Sequence, residues 1–321
     1  MKKFVLKLSL FFIPIIIFAF VTEVAVTSTL KTSRKNYHAV WNDLFDGKIN
    51  SEIIIMGASR AKININPKII EDSTGLSTYN LGINGYNFSM DYFRYRLLMK
   101  YNKHPKLIIL SLGYITLDKR NNLFMIEQFL PFTFDKDLYN ETKTYEGLNF
   151  YDYNFPFVRY IGKAKLMKHA ANIIFNPSSN YELRYKGYAR QCVNWNNDLS
   201  KVLGNNKNRI KPNQKVDSTT ISLFDKFLKE LKKENIDIVL VYSPEYIQGQ
   251  EVYGNRSQII SLYQKFADKY NIPFWDYSKD EISYHKHYFY NANHLNCVGS
   301  DAFTKKLYKK LISSYSFLHT P

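Results

Sequence analysis

Three short apolar runs constrain this chain more than any other feature. They are Ile53-Ile54-Ile55-Met56, Leu107 to Leu112 (LIILSL) and Ile236 to Tyr242 (IDIVLVY). Such runs do not alternate apolar with polar, so both faces of each strand must be covered, as in a buried parallel sheet. Shorter strands are expected at Ser77–Leu81 and Pro273–Tyr277. Helical periodicity fills the intervals. Asn66-Pro67 reads as an N-cap with proline at the first helical position, opening a helix to about Asp72. Further helices are expected over Asp91–Lys103, Ser218–Glu234 (Ile221, Phe224, Phe227, Leu228 and Leu231 on one face), Gln258–Tyr270 and Ser300–Ser313. Strands alternating with amphipathic helices predict an α/β fold: a three-layer α/β/α sandwich around a parallel sheet.

The N-terminus obeys a different rule. Lys2, Lys3 and Lys7 precede Leu8 to Thr22, which is uncharged and almost wholly apolar, and Val24 to Val26 extend the run past Glu23. Through Val26 the stretch approaches the ~20 residues a bilayer span needs. No Cys follows it and small-x-small cleavage signals are weak, so residues 1–27 read as an uncleaved signal anchor or transmembrane segment. Lys31, Arg34 and Lys35 nearly balance the leading lysines, so export logic rather than charge favours a cytoplasmic N-terminus with the bulk outside. Residues 28–50 form a polar connector with some helix. Residues 51–321 form the α/β domain, with an aromatic-rich insertion at about 120–215 that is either surface elaboration or a cap over a substrate site.

The net charge of +16 invites nucleic acid, anionic membrane or acidic polymer as partner. The Lys and Arg residues are spread out, with no basic block or nucleic-acid motif, which argues against nucleic acid and leaves lipid or polysaccharide. Two cysteines, Cys192 and Cys297, exclude a disulfide scaffold and a four-cysteine zinc site, though an exported chain could pair them. His285 and His287 lie near His294, with Asp280, Glu281 and Cys297 as the only nearby additions, which makes a poor metal set. Neither a P-loop nor a Gly-x-Gly-x-x-Gly fingerprint occurs. No metal and no cofactor are expected.

Open α/β sheets bind ligands at the carboxyl ends of their strands. Gly57-Ala58-Ser59-Arg60 follows the first strand, placing a serine hydroxyl in a tight strand–helix turn. Asn80-Leu81-Gly82-Ile83-Asn84-Gly85 follows the next, its glycines permitting close backbone approach. Asn291-Ala292-Asn293-His294 precedes the final helix. A hydroxyl, a base and backbone donors are the parts needed for acyl transfer.

In IIIMGASRA (53–61), YNLGINGYN (79–87) and NANHLNCVGSDAFT (291–304) the chain resembles the SGNH (GDSL-like) hydrolase superfamily, and within it the membrane-anchored branch associated with cell-surface polysaccharide O-acylation. The resemblance frames about 51–118 and 218–314. It implies a doubly wound, flavodoxin-like sheet and a serine esterase or O-acyltransferase acting on an acylated cell-envelope glycan outside the cytoplasm. Ser59 would be the nucleophile and His294 the base. The N–H groups of Ser59 and Gly85 would hold the oxyanion, with Gly82 shaping the turn, and Gly113 matches the third family block. Two positions depart from the pattern. Asn291 stands where the family has its acid, with Asp280 or Glu281 as alternatives. Ile115 stands where the family has an oxyanion asparagine, leaving Tyr114, Thr116 or Asn84 to substitute. These departures motivate a different class of reading: a protein of this fold that binds polysaccharide or a membrane-bound acyltransferase without catalysis.

Overall fold

The computed structural model describes residues 1–203 and 211–318. Residues 204–210 of the expected insertion, and the last three of the chain, lie outside the described residues. In chain order the elements are α1 (Lys2–Thr32), α2 (Asn36–Phe45), β1 (Ile53–Gly57), α3 (Ser59–Asn64), α4 (Pro67–Thr74), β2 (Thr78–Asn80), α5 (Phe88–Tyr101), β3 (Leu107–Leu112), α6 (Lys136–Thr142), α7 (Phe150–Asn154), α8 (Ala164–Phe175), α9 (Asp198–Leu203), α10 (Ser218–Lys233), β4 (Asp237–Tyr242), α11 (Arg256–Tyr270), β5 (Phe274–Asp276), β6 (Phe289–Asn291), β7 (His294–Leu295) and α12 (Cys297–Ser314). They group into two compact units, one of Met1–Asn42 with Asn121–Leu183, the other of Asp43–Arg120 with Arg184 onward.

The larger unit carries a five-stranded sheet of order β2-β1-β3-β4-β5, every pairing parallel. The three apolar runs occupy its centre as β1, β3 and β4, buried at every position but Asp237. Ile53, Ile55, Leu107, Ile109, Val239 and Val241 share a face and pack with Phe303, Leu307 and Leu311 of α12. Elsewhere in the unit, Phe88 and Tyr95 of α5 meet Phe227 of α10 edge-on at 5.3 and 4.9 Å. Helix ends follow local chemistry. Asn66 caps α4 by accepting the Lys68 N–H at 3.1 Å, and Gly75 ends that helix in the left-handed region.

Gly57 closes β1 with φ +129°, and a Cβ there would lie 2.3 Å from the Ser111 carbonyl oxygen on β3. Gly57→Ala is therefore expected to cost about 2–5 kcal/mol, adding backbone strain to overpacking. A urea midpoint equal to that of the unaltered chain would refute this.

The smaller unit is built on α1. Residues 2–22 of this helix are almost wholly exposed, and burial begins at Glu23, Val26 and Leu30. The helix is long and apolar enough to cross a membrane. It continues beyond the expected limit at residue 27, to Thr32, and Asn42 of α2 bonds back to the Leu30 and Ser33 carbonyls at 3.0 and 2.9 Å. The connector is thus mostly helix (α2).

The expected insertion is divided. Residues 121–183 cluster with the N-terminal helices, whereas the chain from Arg184 belongs to the sheet unit. There it forms a strap. The Lys186 carbonyl accepts from Asn80 N–H at 2.9 Å, Ala189 N–H donates to the Lys62 carbonyl at 2.9 Å, and the Gln191 carbonyl accepts from Cys297 N–H at 2.7 Å. A Cys192–Cys297 disulfide staples this strap to the start of α12. Gly187, at φ +82°, lies so close to Asn80 that a Cβ would meet its carbonyl oxygen at 2.0 Å.

Candidate active site

Parallel pairing places the ends of β1, β2, β3 and β4 on one edge, and the singled-out residues emerge there. Ser59 is the first residue of α3, directly after the Gly57-Ala58 turn. The first N–H groups of a helix have no intrahelical acceptor, so the Ser59 amide is available beside its own hydroxyl. Asn291 and His294 face each other as a cross-strand pair of the β6–β7 hairpin, with Ala292-Asn293 as the two-residue turn. The three-residue spacing in sequence is thus a fixed geometry.

These residues meet. Ser59 Oγ lies 2.7 Å from His294 Nε2, and His294 Nδ1 lies 2.9 Å from Asn291 Oδ1. An amide oxygen only accepts, so the Asn291 contact assigns the proton to Nδ1 and leaves Nε2 to accept the serine proton. Asn291 Oδ1 is itself pinned by the backbone N–H groups of Asn293 and His294 at 3.0 and 2.9 Å. The His294 ring also stacks against Tyr290, with centroids 5.5 Å apart and planes 14° from parallel. Burial of the imidazole, with a smaller push from the Arg60 charge, holds its pKa down to about 4. At neutral pH it is therefore an uncharged base.

The glycine turn sits beside the serine turn. Ile83 N–H donates to the Gly57 carbonyl at 3.0 Å, and Asn80 braces the pair: its Oδ1 takes the Gly82 N–H at 2.9 Å while its Nδ2 donates to the Ala61 and Ile65 carbonyls at 2.8 and 2.9 Å. A Cβ on Gly82 would come within 2.4 Å of the Lys62 backbone nitrogen, so only glycine lets this turn lie against α3. Gly85 takes the left-handed conformation, φ +75°, and its N–H has no hydrogen-bond partner among the described residues. The neighbouring Asn84 Oδ1 is enclosed without one as well.

The third block behaves otherwise. Gly113 N–H donates to Thr116 Oγ1 at 2.9 Å, and Tyr263 donates to the Gly113 carbonyl at 2.6 Å, so Thr116 is spent on its own turn. Tyr114 reaches the hairpin instead, its hydroxyl 3.4 Å from Asn293 Nδ2. Neither alternative acid serves His294. Asp280 pairs with Lys306 at 2.8 Å and caps Ile282 N–H at 3.0 Å, and Glu281 lies 3.9 Å from His285. Cys297, weighed as a metal ligand, is consumed by the disulfide. Among the described residues no group of three or more His, Cys, Asp or Glu converges as a ligand set.

No protein-family model matches the chain, and no curated protein does. Among solved structures the chain is similar to an acetyl xylan esterase, at 12% identity over 81% of this chain and 99% of that one, with a TM-score of 0.39. It is similar also to a GDSL-like lipase from Bacteroides thetaiotaomicron, at 11% identity over 86% and 98%, with a TM-score of 0.36.

Sequence reasoning missed the buried polar layer beneath Ser59. Arg60 donates to Ser243 Oγ at 3.1 Å, to the Ser243 carbonyl, and to Glu245 Oε1 at 2.7 Å, with its guanidinium 4.3 Å from the centre of the Tyr242 ring. Glu245 also binds Arg256 at 3.1 Å, and Asn64 ties Ser243 to the Leu295 N–H, both at 3.0 Å. This layer joins α3 to the end of β4 and to β7, and so sets the Ser59–His294 distance. Its one sequence signal was an arginine directly after the candidate serine.

Proposed function

We propose that the chain is a membrane-anchored serine ester hydrolase or O-acyltransferase acting on acyl groups of a cell-envelope glycan. The observation that carries this reading is the 2.7 Å contact between Ser59 Oγ and a neutral His294 whose other nitrogen is fixed by Asn291. Ser59 would attack the acyl carbonyl as His294 takes its proton. The oxyanion would meet the N–H groups of Ser59 and Gly85, with the Asn84 amide as the side-chain donor that Ile115 does not supply. His294 would then return the proton to the departing alcohol. Water or a sugar hydroxyl would resolve the acyl-enzyme, giving hydrolysis or transfer.

The Cys192–Cys297 bond belongs to an oxidising compartment, which favours the bulk of the chain lying outside the cytoplasm. Aromatic rings on the same side of the sheet unit, Tyr290 on His294 and the Tyr114–Tyr253 pair with centroids 4.4 Å apart, suit the apolar faces of sugar rings.

Protonated His294 cannot accept the serine proton, so kcat/KM should fall as pH drops through about 4 and remain on its plateau at pH 5.5. An acid limb near 6.5, the value of an exposed histidine, would show the ring to be open to water in the free enzyme.

Asn291 favours one other reading: without a carboxylate behind His294, the fold could bind an acylated glycan or a membrane acyltransferase without turnover. A fluorophosphonate probe on the full chain separates the two, because it labels only an activated hydroxyl. Labelling that disappears in Ser59→Ala supports the enzyme. Folded protein that stays unlabelled sinks it and favours the binding protein.

A further inference from the structure

Glu23 interrupts the apolar face of α1, and the smaller unit closes on it. Its Oε1 receives the Arg159 guanidinium and the Thr27 hydroxyl, the latter at 2.7 Å, while its Oε2 accepts the Phe157 N–H at 2.8 Å. One turn further, Thr27 Oγ1 lies 2.7 Å from the Tyr160 hydroxyl. The segment from Phe157 to Tyr160 is therefore clasped to the turn at which α1 first becomes buried. Leu8 to Thr22, the uncharged residues before the clasp, rise about 22 Å at 1.5 Å per residue, and Lys7 snorkelling at the far end lets them cross a hydrocarbon core of about 30 Å. With that stretch in the membrane, the clasp lies at its surface.

Large apolar side chains cluster beside the clasp. Phe150, Tyr151 and Phe155 are 65%, 58% and 46% exposed, and their rings lie 5.6 to 6.2 Å from one another. Ile161 is 64% exposed. Phe155 precedes Phe157 by two residues and Ile161 follows Arg159 by two, so each backbone stays within about 8 Å of the clasp at 3.8 Å per step. Lys165 and Lys168, exposed, come next. Aromatic side chains flanked by lysine are what a membrane–water interface accommodates.

We propose that Phe150, Tyr151, Phe155 and Ile161 form a foot that seats in the headgroup–acyl boundary of the bilayer α1 crosses. The foot rests on the reading of α1 as a span. It makes the smaller unit an interfacial element held by the Glu23 clasp, rather than a cap for sugar.

The test uses the full chain in two sets of phosphatidylcholine vesicles whose acyl chains carry bromine, a short-range quencher of tryptophan, near the headgroup end in one set and near the methyl end in the other. Three variants each add one tryptophan: Phe155→Trp in the foot, Phe12→Trp within the uncharged stretch of α1, and Tyr181→Trp. Tyr181 adjoins Asn180, which donates to the carbonyl of Thr32 at 3.0 Å, at the end of α1, nine residues beyond Glu23 and so roughly 14 Å further along the helix axis. The added emission of Phe155→Trp with the headgroup-end bromine, and of Phe12→Trp with the methyl-end bromine, should fall at least about twofold, and that of Tyr181→Trp should match unbrominated vesicles in both sets. Quenching at position 12 with none at 155 overturns the foot. Quenching at 155 with none at 12 overturns the span, and with it the foot as a support beside that span. No quenching at either position overturns both.

Discussion

Ser59→Ala is expected to lower turnover of an activated acetyl ester by about 10³- to 10⁶-fold, the range set by removing a nucleophile while backbone donors and binding remain. The substitution deletes one oxygen at a half-buried position, so the fold has little reason to change and circular dichroism should match the unaltered chain. His294→Ala should fall into the same range, because Ser59 Oγ then has no base at 2.7 Å. The double variant should be no worse than either single one, since the two groups act as a unit and their losses do not add. The measurement is initial rate against enzyme concentration for all four proteins. Ser59→Ala within tenfold of the unaltered chain would mean that the observed hydrolysis arises elsewhere.

The parts of this site that could be read from sequence are the parts fixed over short distances. Ser59 follows β1 by two residues, and the sharp turn is announced by Gly57. Asn291 and His294 were legible together because a two-residue hairpin turn makes them neighbours. The central strands were legible because they are apolar at almost every position, and only a sheet covered on both faces hides such runs. What escaped was long-range and polar. Arg60 meets Ser243 and Glu245 across 183 and 185 residues, and nothing in the local string marks that pairing. The strap from Arg184 to Asp198 carries no hydrophobic period, because backbone hydrogen bonds and a disulfide hold it rather than a buried stripe. It therefore merged with residues 121–183 into one apparent insertion. Asp280 looked available to His294 by proximity in sequence, yet Lys306 engages its carboxylate.

Asn291→Asp is expected to raise kcat by roughly 10- to 100-fold and to move the acid limb upward from about 4. In a serine protease the reverse change costs about 10⁴, largely because asparagine selects the wrong histidine tautomer. Here that error is prevented. Three N–H donors, from Asn293, His294 and the imidazole Nδ1, converge on one oxygen at 2.9 to 3.0 Å, so the amide cannot turn its own N–H toward the ring. The tautomer is already correct, and the missing contribution is the negative charge that steadies the imidazolium while Arg60 repels it. A carboxylate would accept the same three donors, each as a stronger charge-assisted bond, without moving the hairpin. It would also offset the Arg60 charge and raise the imidazole pKa, which is why the rate gain and the shift of the acid limb must appear together. A higher rate with an unmoved limb would mean that the carboxylate acts elsewhere than on His294. A lower rate would show that catalysis here needs the uncharged amide.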